Sequence, residues 1–235
     1  MKPTIVVVNR YQDIFDRFTD SVRKFEPDLP VILVADGHDR RYDGVQTIRI
    51  DSDDFSFAVC ANVGIRECDG DVLLCNDDIM LTEPGCLSRL HERAVSLDGI
   101  GIASPLIKGA VGCNYQSWYQ RDRFFPPGSR DLKPVSRVCF VCIWLSRKMI
   151  NRIGALNPYV EMSTGYGFED IEYCQRAAAF GWSIVVYPGS YVIHANGRYH
   201  EERGQSYSLS YARRYGVHRC IHSRHGCGIG PERLT

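Results

Sequence analysis

The chain has 235 residues, 44% of them hydrophobic and 24% charged, with 28 basic against 28 acidic side chains. That content fills the core of one large or two small domains and excludes general disorder. A formal charge of zero argues against a partner held by overall charge and leaves only local patches for a polyanion.

The first apolar run, TIVVV at 4–8, is rich in β-branched residues and predicts a buried strand. It is too short for a signal-peptide core and no cleavage site follows it. No stretch reaches the ~18–20 apolar residues of a membrane span, so no transmembrane segment and a cytoplasmic location are expected. Residues 11–26 place Ile14, Phe15, Phe18, Val22 and Phe25 at helical spacing. PVILVADG (30–37) predicts a second strand ending at an Asp-Gly turn, and VQTIRID (45–51) a third. SFAVCANVGIREC (56–68) suits a helix and GDVLLCNDD (70–78) a fourth strand. EPGCLSRLHERAVS (83–96) predicts a helix with Pro84 in its first turn, and GIGIASPLI (99–107) a fifth strand. Residues 108–134 are rich in Gly, Pro, Arg and aromatics and read as a long irregular insertion. VCFVCIWL resumes core structure as a strand. GFEDIEYCQRAAAFGW (167–182) predicts a helix with acidic residues at its start and Gly181 at its stop. SIVVYPGSYVIH (183–194) reads as one or two strands.

Strands alternating with helices predict an α/β fold, a mostly parallel central sheet flanked by helices. Of the ten cysteines, Cys60, Cys75, Cys139, Cys142 and Cys174 lie in apolar runs. They read as buried thiols of a reducing compartment, and the CxxC spacing at 139–142 as part of a core strand.

In open sheets of this kind, ligands bind beyond the carboxyl ends of the strands. Asn76-Asp77-Asp78 stands there. On an extended segment Asn76 and Asp78 point the same way, and two oxygen donors suit a hard cation that takes its other ligands from water or phosphate. Such a cation bridges a pyrophosphate and neutralises a leaving nucleotide. A solvated Asp-Asp turn is the plainer reading. Asp36 closes another strand, where it faces a base or ribose or simply makes an Asp-Gly turn. Asn62 and Gly64 precede the acidic strand, and Asn62 also reads as a local cap. His194 ends the last strand as a third metal ligand or a structural histidine.

The ordered set TIVVVNR, VILVADG, ANVGI, GDVLLCNDDIML, GFEDIEYCQRAAAFGW and VVYPGSYVIH resembles the GT-A-fold glycosyltransferases of family 2, over roughly residues 4–194. The resemblance implies a GT-A domain at 1–196, with a nucleotide-sugar-binding half at 1–107 and an acceptor-binding half at 108–196. It implies a Mn²⁺- or Mg²⁺-dependent, inverting transfer from a UDP-, GDP- or dTDP-sugar. CNDD falls at the family's metal motif, with Asp78 as metal ligand and Asn76 in place of the first aspartate. Asp77 and Asn62 fall on the donor side, and Asp36 takes the nucleoside contact. Asp170 matches the catalytic base, with Glu169 its neighbour on the acceptor side, and His194 matches a position that reaches the metal or pyrophosphate. The physics agrees: transfer needs a base on one side of the sugar and positive charge on the other. At a helix start Asp170 is expected to stay ionised.

The insertion carries Tyr115, Trp118, Tyr119, Phe124 and Phe125 among arginines. Aromatics stack on sugars and Arg binds phosphate, so Trp118 and Tyr119 are acceptor candidates; completion of the core is the equal alternative. The tail 197–235 is basic and crowds His218, Cys220, His222, His225 and Cys227. It reads as a lid over the pyrophosphate, a nucleic-acid contact or, less readily, a zinc site. The expected acceptor is a glycan or lipid-linked saccharide. The rivals are transfer to a modified base in DNA and a non-catalytic nucleotide-sugar-binding protein.

Overall fold

The computed structural model describes residues 1–10, 12–109, 111–164 and 167–194. Strands β1 (Thr4–Asn9), β2 (Val31–Asp36), β3 (Val45–Ile50) and β4 (Val72–Asn76) run parallel in the order β3-β2-β1-β4. Helices α1 (Gln12–Phe25) and α2 (Phe57–Arg66) make two of the crossovers that parallel pairing requires. Beyond β4 the sheet continues through β8 (Cys142–Leu145), β6 (Ile100–Gly109), β9 (Ser183–His194) and β5 (Ile79–Leu81), and β7 (Lys133–Pro134) pairs with β9. β8 is antiparallel to both neighbours, and β5 and β7 are antiparallel to β9. The other six strands of the nine-stranded sheet all point one way. The expected α/β sheet flanked by helices is therefore present. Residues on both sides of position 107 contribute strands to it, since β8 lies between β4 and β6.

Alternation along the strands builds two cores. Ile5, Val7, Leu33 and Leu73 face α1 and α3 (Cys86–Val95), where they meet Phe15, Phe18, Leu87 and Leu90. Val6, Val8, Val34 and Leu74 face the other way, toward α2, α5 (Arg147–Ile153) and α7 (Glu169–Ala179), with Ile65, Ile150 and Tyr173. Each fully buried side chain of this size contributes roughly 1.5–3 kcal/mol. Gly64 lets α2 approach the sheet, since a Cβ there would stand 2.5 Å from Val6 Cγ1.

Two buried carboxylates cap helices from a distance. Glu26, at the end of α1, accepts from Leu87 N (2.6 Å), Ser88 N (3.1 Å) and Ser88 Oγ (2.6 Å) at the start of α3. Glu161, on α6 (Pro158–Thr164), accepts from Ser56 Oγ (2.5 Å) and Ala58 N (2.8 Å) at the start of α2. Negative charge is favoured at both termini. Pro84 lies outside α3: that helix begins at Cys86, after Gly85 in the left-handed region.

Other expectations shift by short stretches. Residues 140–141 form a turn, so only Cys142–Leu145 of the expected core strand is strand. β9 is one strand, but its register to β6 jumps from Pro105–Tyr187 to Leu106–Tyr191. The insertion holds two short 3₁₀ turns, a four-residue helix α4 (Arg121–Phe124) and β7. Phe125 is buried in the core and Tyr115, Trp118 and Phe124 pack against it, as the core-completion reading expects. The eight described cysteines are free. Burial pushes the thiols of Cys60 and Cys174 up to about 12, so they stay protonated. Among the described residues no helix is long and apolar enough to cross a membrane. The boundary at 196/197 and the Cys/His-rich tail lie outside the described residues.

Candidate functional site

β1, β2, β4, β6 and β9 end on one edge of the sheet, and most of the polar residues singled out in the sequence gather there. Asp77 and Asp78 form the turn between β4 and β5. The extended alternation that was to align Asn76 with Asp78 therefore stops at Asn76. Alignment comes instead from pairing: Ile79 stands opposite His194 in the β5–β9 ladder. This sets Asp78 Oδ2 3.2 Å from His194 Nε2, with both side chains nearly buried at 6% and 5% exposure. Gly109 is the other register partner of His194, and a Cβ there would collide with the His194 carbonyl.

Asp77 belongs to a second network. Asn9 Nδ2 donates to Asp77 Oδ2 (2.6 Å), and Asn9 Oδ1 lies 2.7 Å from His38 Nε2. Since the Asn9 amide already donates to Asp77, its oxygen accepts and His38 Nε2 carries the proton. Burial pushes the Asp77 carboxyl up to about 7; the Asp78 charge adds to this, while the Asn9 bond opposes it. Asp36 is 1% exposed and its two oxygens are already engaged. Oδ1 accepts from Ser52 N (3.0 Å) and Ser52 Oγ (2.5 Å), and Oδ2 pairs with Arg10 (3.1 Å). Arg10, 35% exposed, is the outward member of that pair and lies over the Phe55 ring. Asn62 points elsewhere: its amide donates to Leu156 O (2.8 Å) and accepts from Leu156 N (2.9 Å), joining α2 to the loop before α6.

The second acidic group opens α7. Phe168 precedes it at φ 73°, the one non-glycine residue with positive φ among the described residues. A bulky side chain in that region carries strain of order 1–3 kcal/mol and marks sites where geometry is imposed. Glu169 is buried, and its Oε2 has no hydrogen-bond partner among the described residues. Asp170 Oδ1 accepts from Ile171 N (2.7 Å). Burial raises the Glu169 carboxyl to about 8, helped by the Asp170 charge. It also raises Asp170, against the pull of Ile171 N–H, the Cys139 thiol and Arg137. Desolvation thus raises Asp170 despite its place at a helix start, where the dipole favours its charge.

A three-residue stretch joins the two groups. Cys139 touches Asp170, and the carbonyl of Val141 accepts from Asn76 N (2.8 Å). Buried Gln116 fixes this stretch: its Nε2 donates to Ser104 Oγ (2.7 Å) and Cys139 O (3.0 Å), and its Oε1 accepts from Cys139 N (2.7 Å). Beside it, Trp118 lies against Tyr191 with ring centroids 4.6 Å apart, whereas Tyr119 is 69% exposed.

Asn9, Arg10, His38, Ser52 and Gln116 were not singled out in the sequence. For Asn9 and Arg10 the signal was present: they follow an apolar strand directly, as Asp36 and Asp77 do. No local pattern marks Gln116, whose partners are 12 and 23 residues away.

The Asp78–His194 pair fits a hard divalent cation. Ligands about 2.1 Å from Mg²⁺ on adjacent octahedral corners stand about 3 Å apart, close to the observed 3.2 Å. Among the described residues no three His, Cys, Asp or Glu form a fuller cage. A cation here would take its remaining ligands from water or phosphate.

No family model matches the chain, and no curated protein matches it in sequence. Solved structures do. The Pyrobaculum calidifontis mannosyltransferase PcManGT, in complex with GDP-Man and Mn²⁺, is similar to 91% of this chain with a TM-score of 0.64 and 13% identity. The chain spans 61% of that protein's length. At this identity the likeness is one of fold alone, a mixed α/β domain built on a central nine-stranded sheet.

Proposed function

We propose that the chain is a metal-assisted glycosyltransferase that moves a sugar from a UDP-, GDP- or dTDP-sugar to an acceptor hydroxyl with inversion. The observation that carries this reading is the pairing of Asp78 with His194 at the strand ends, together with a separate carboxylate pair at the start of α7, buried Glu169 and half-buried Asp170. The fold shared with a mannosyltransferase supports it.

Asp78 and His194 would hold Mn²⁺ or Mg²⁺, which when bound neutralises the diphosphate of the leaving nucleotide. Asn9 and His38 keep Asp77 oriented behind that pair. Arg10, held by Asp36, offers the outward cation of the donor side and a planar group for phosphate or base. Asp170 acts as base: its carboxylate takes the acceptor hydroxyl proton while the acceptor oxygen attacks the anomeric carbon. The bond from that carbon to phosphate oxygen breaks, and the nucleoside diphosphate leaves with the electron pair. With Glu169 pushed up to about 8, Asp170 is the member of the pair whose ionised form has hydrogen-bond and charge support, from Ile171 N–H, the Cys139 thiol and Arg137. Because Asp36 and Asn62 have protein partners, their part on the donor side is to hold Arg10 and the α2–α6 junction.

The direct test is thermal stabilisation by nucleotide sugars. A donor at 100 times its Kd adds about 2.7 kcal/mol, a rise of several degrees for a chain of this size. One of the three donor classes should give that rise with Mn²⁺ and a smaller one in EDTA. No stabilisation by any of them would overturn the reading.

A further inference from the structure

We infer that the cavity between the insertion and the bend of β9 is a saccharide subsite for the acceptor, an inference that rests on the transferase reading above. The cavity has a volume of about 480 Å³, within the ~300–1,000 Å³ of small-ligand sites. Trp118 and Tyr191 wall one side, and Arg121, Asp122, Arg130 and Glu83 supply polar groups around it. Aromatic faces over which a sugar ring lies, ringed by planar side chains that bond hydroxyls, are the chemistry that recognises a saccharide.

The platform is held in place before any ligand arrives. Ser117 bridges to Ile107 on β6, Gln116 is locked by its three hydrogen bonds, and Trp118 and Tyr191 pack on each other and against the core, so the aromatic surface they leave to the cavity is fixed. Tyr191 emerges where the β9 register jumps. It lies three residues before His194 on the same strand, about 10 Å at ~3.3 Å per residue. A fixed aromatic surface binds with little ordering cost.

The charges choose between a saccharide and a nucleic acid. Arg121 pairs with Asp122 at 3.3 Å, and Glu83 pairs with Arg89. The lining thus carries two arginines and two carboxylates. A phosphodiester backbone needs an excess of positive charge, whereas hydroxyls accept from arginine and donate to carboxylate equally well. Exposed Arg130 has no ion pair among the described residues and is the donor left for a hydroxyl.

The test uses the full chain, a panel of defined neutral di-, tri- and tetrasaccharides, and a single-stranded oligonucleotide, read by saturation-transfer NMR and calorimetry. A saccharide of the panel should bind with affinity nearly constant between about 50 and 200 mM salt. Trp118→Ala should weaken it about tenfold or more. Arg130→Ala, on an exposed side chain that does not support folding, should weaken it severalfold. Failure of every saccharide to bind, binding unaltered in both variants, or an oligonucleotide bound in place of saccharide would overturn the inference. Donor stabilisation is read separately. A chain that binds saccharide but no nucleotide sugar keeps the subsite and loses the transferase reading, and the opposite result does the reverse.

Discussion

Glu169 and Asp170 are adjacent and acidic, the first buried and the second half-buried, and they are asked to do different things. Asp170 has a backbone N–H, a thiol and an arginine to favour its ionised form; Glu169 has burial and the charge of its neighbour against it. Asp170→Asn keeps the shape and removes the basicity, and should lower kcat by about 10² to 10⁴ with donor affinity nearly unchanged, measured by steady-state kinetics and donor titration. Loss of turnover in Glu169→Gln with an active Asp170→Asn would reverse the roles. The same pair sets a pH dependence of stability. Both carboxyls are raised on folding, so their contribution is fully present below their unfolded values and is lost as pH rises, for Glu169 between about 4.5 and about 8. The melting temperature should therefore fall across that window for this pair's part. Glu169→Gln, which cannot ionise, should flatten the decline, measured as melting temperature against pH in both proteins.

At the scale of elements, the loop 113–117 and the segment 139–141 are bound by one side chain. Gln116→Ala leaves Cys139 N–H and Cys139 C=O without their side-chain partner, while Ser104 Oγ keeps its bond to Pro105 O. Each buried group left unsatisfied costs about 1–3 kcal/mol, so the variant should lose at least about 2 kcal/mol in urea unfolding; a change under about 0.5 kcal/mol would contradict the assigned network. Helices and strands were largely legible in the sequence because their apolar periods are local: TIVVV, VILVAD and the Phe15–Phe18 spacing each declare a face. What is set by distant partners was not. Pro84 looks like a first-turn proline until Glu26 is seen capping Leu87 and Ser88, 61 and 62 residues away. Asn76 and Asp78 look aligned by alternation until β5 pairs with β9 and turns the chain between them. Asp77, Asp78, His194 and the Glu169–Asp170 segment were readable as polar residues at element ends. Asn62 was not readable as a brace for Leu156, because the loop it holds lies 94 residues on.

For the whole molecule, the sheet matters because it carries distant residues to one edge. Parallel pairing of β1, β2 and β4 brings Asn9, Asp36 and Asp77 together, and β9, parallel to β6, delivers His194 beside Asp78. We propose that this edge binds a nucleotide sugar through a cation held by Asp78 and His194. Nucleoside-diphosphate release by wild type and Asp78→Asn, with UDP-, GDP- and dTDP-sugars, in Mn²⁺ and in EDTA, tests this. Release from one donor class by wild type in Mn²⁺ is expected, abolished by EDTA and reduced at least about 10²-fold in Asp78→Asn, the scale of losing an electrostatic stabiliser of the leaving group. Equal release in EDTA and Mn²⁺, or an Asp78→Asn protein as active as wild type, would contradict it.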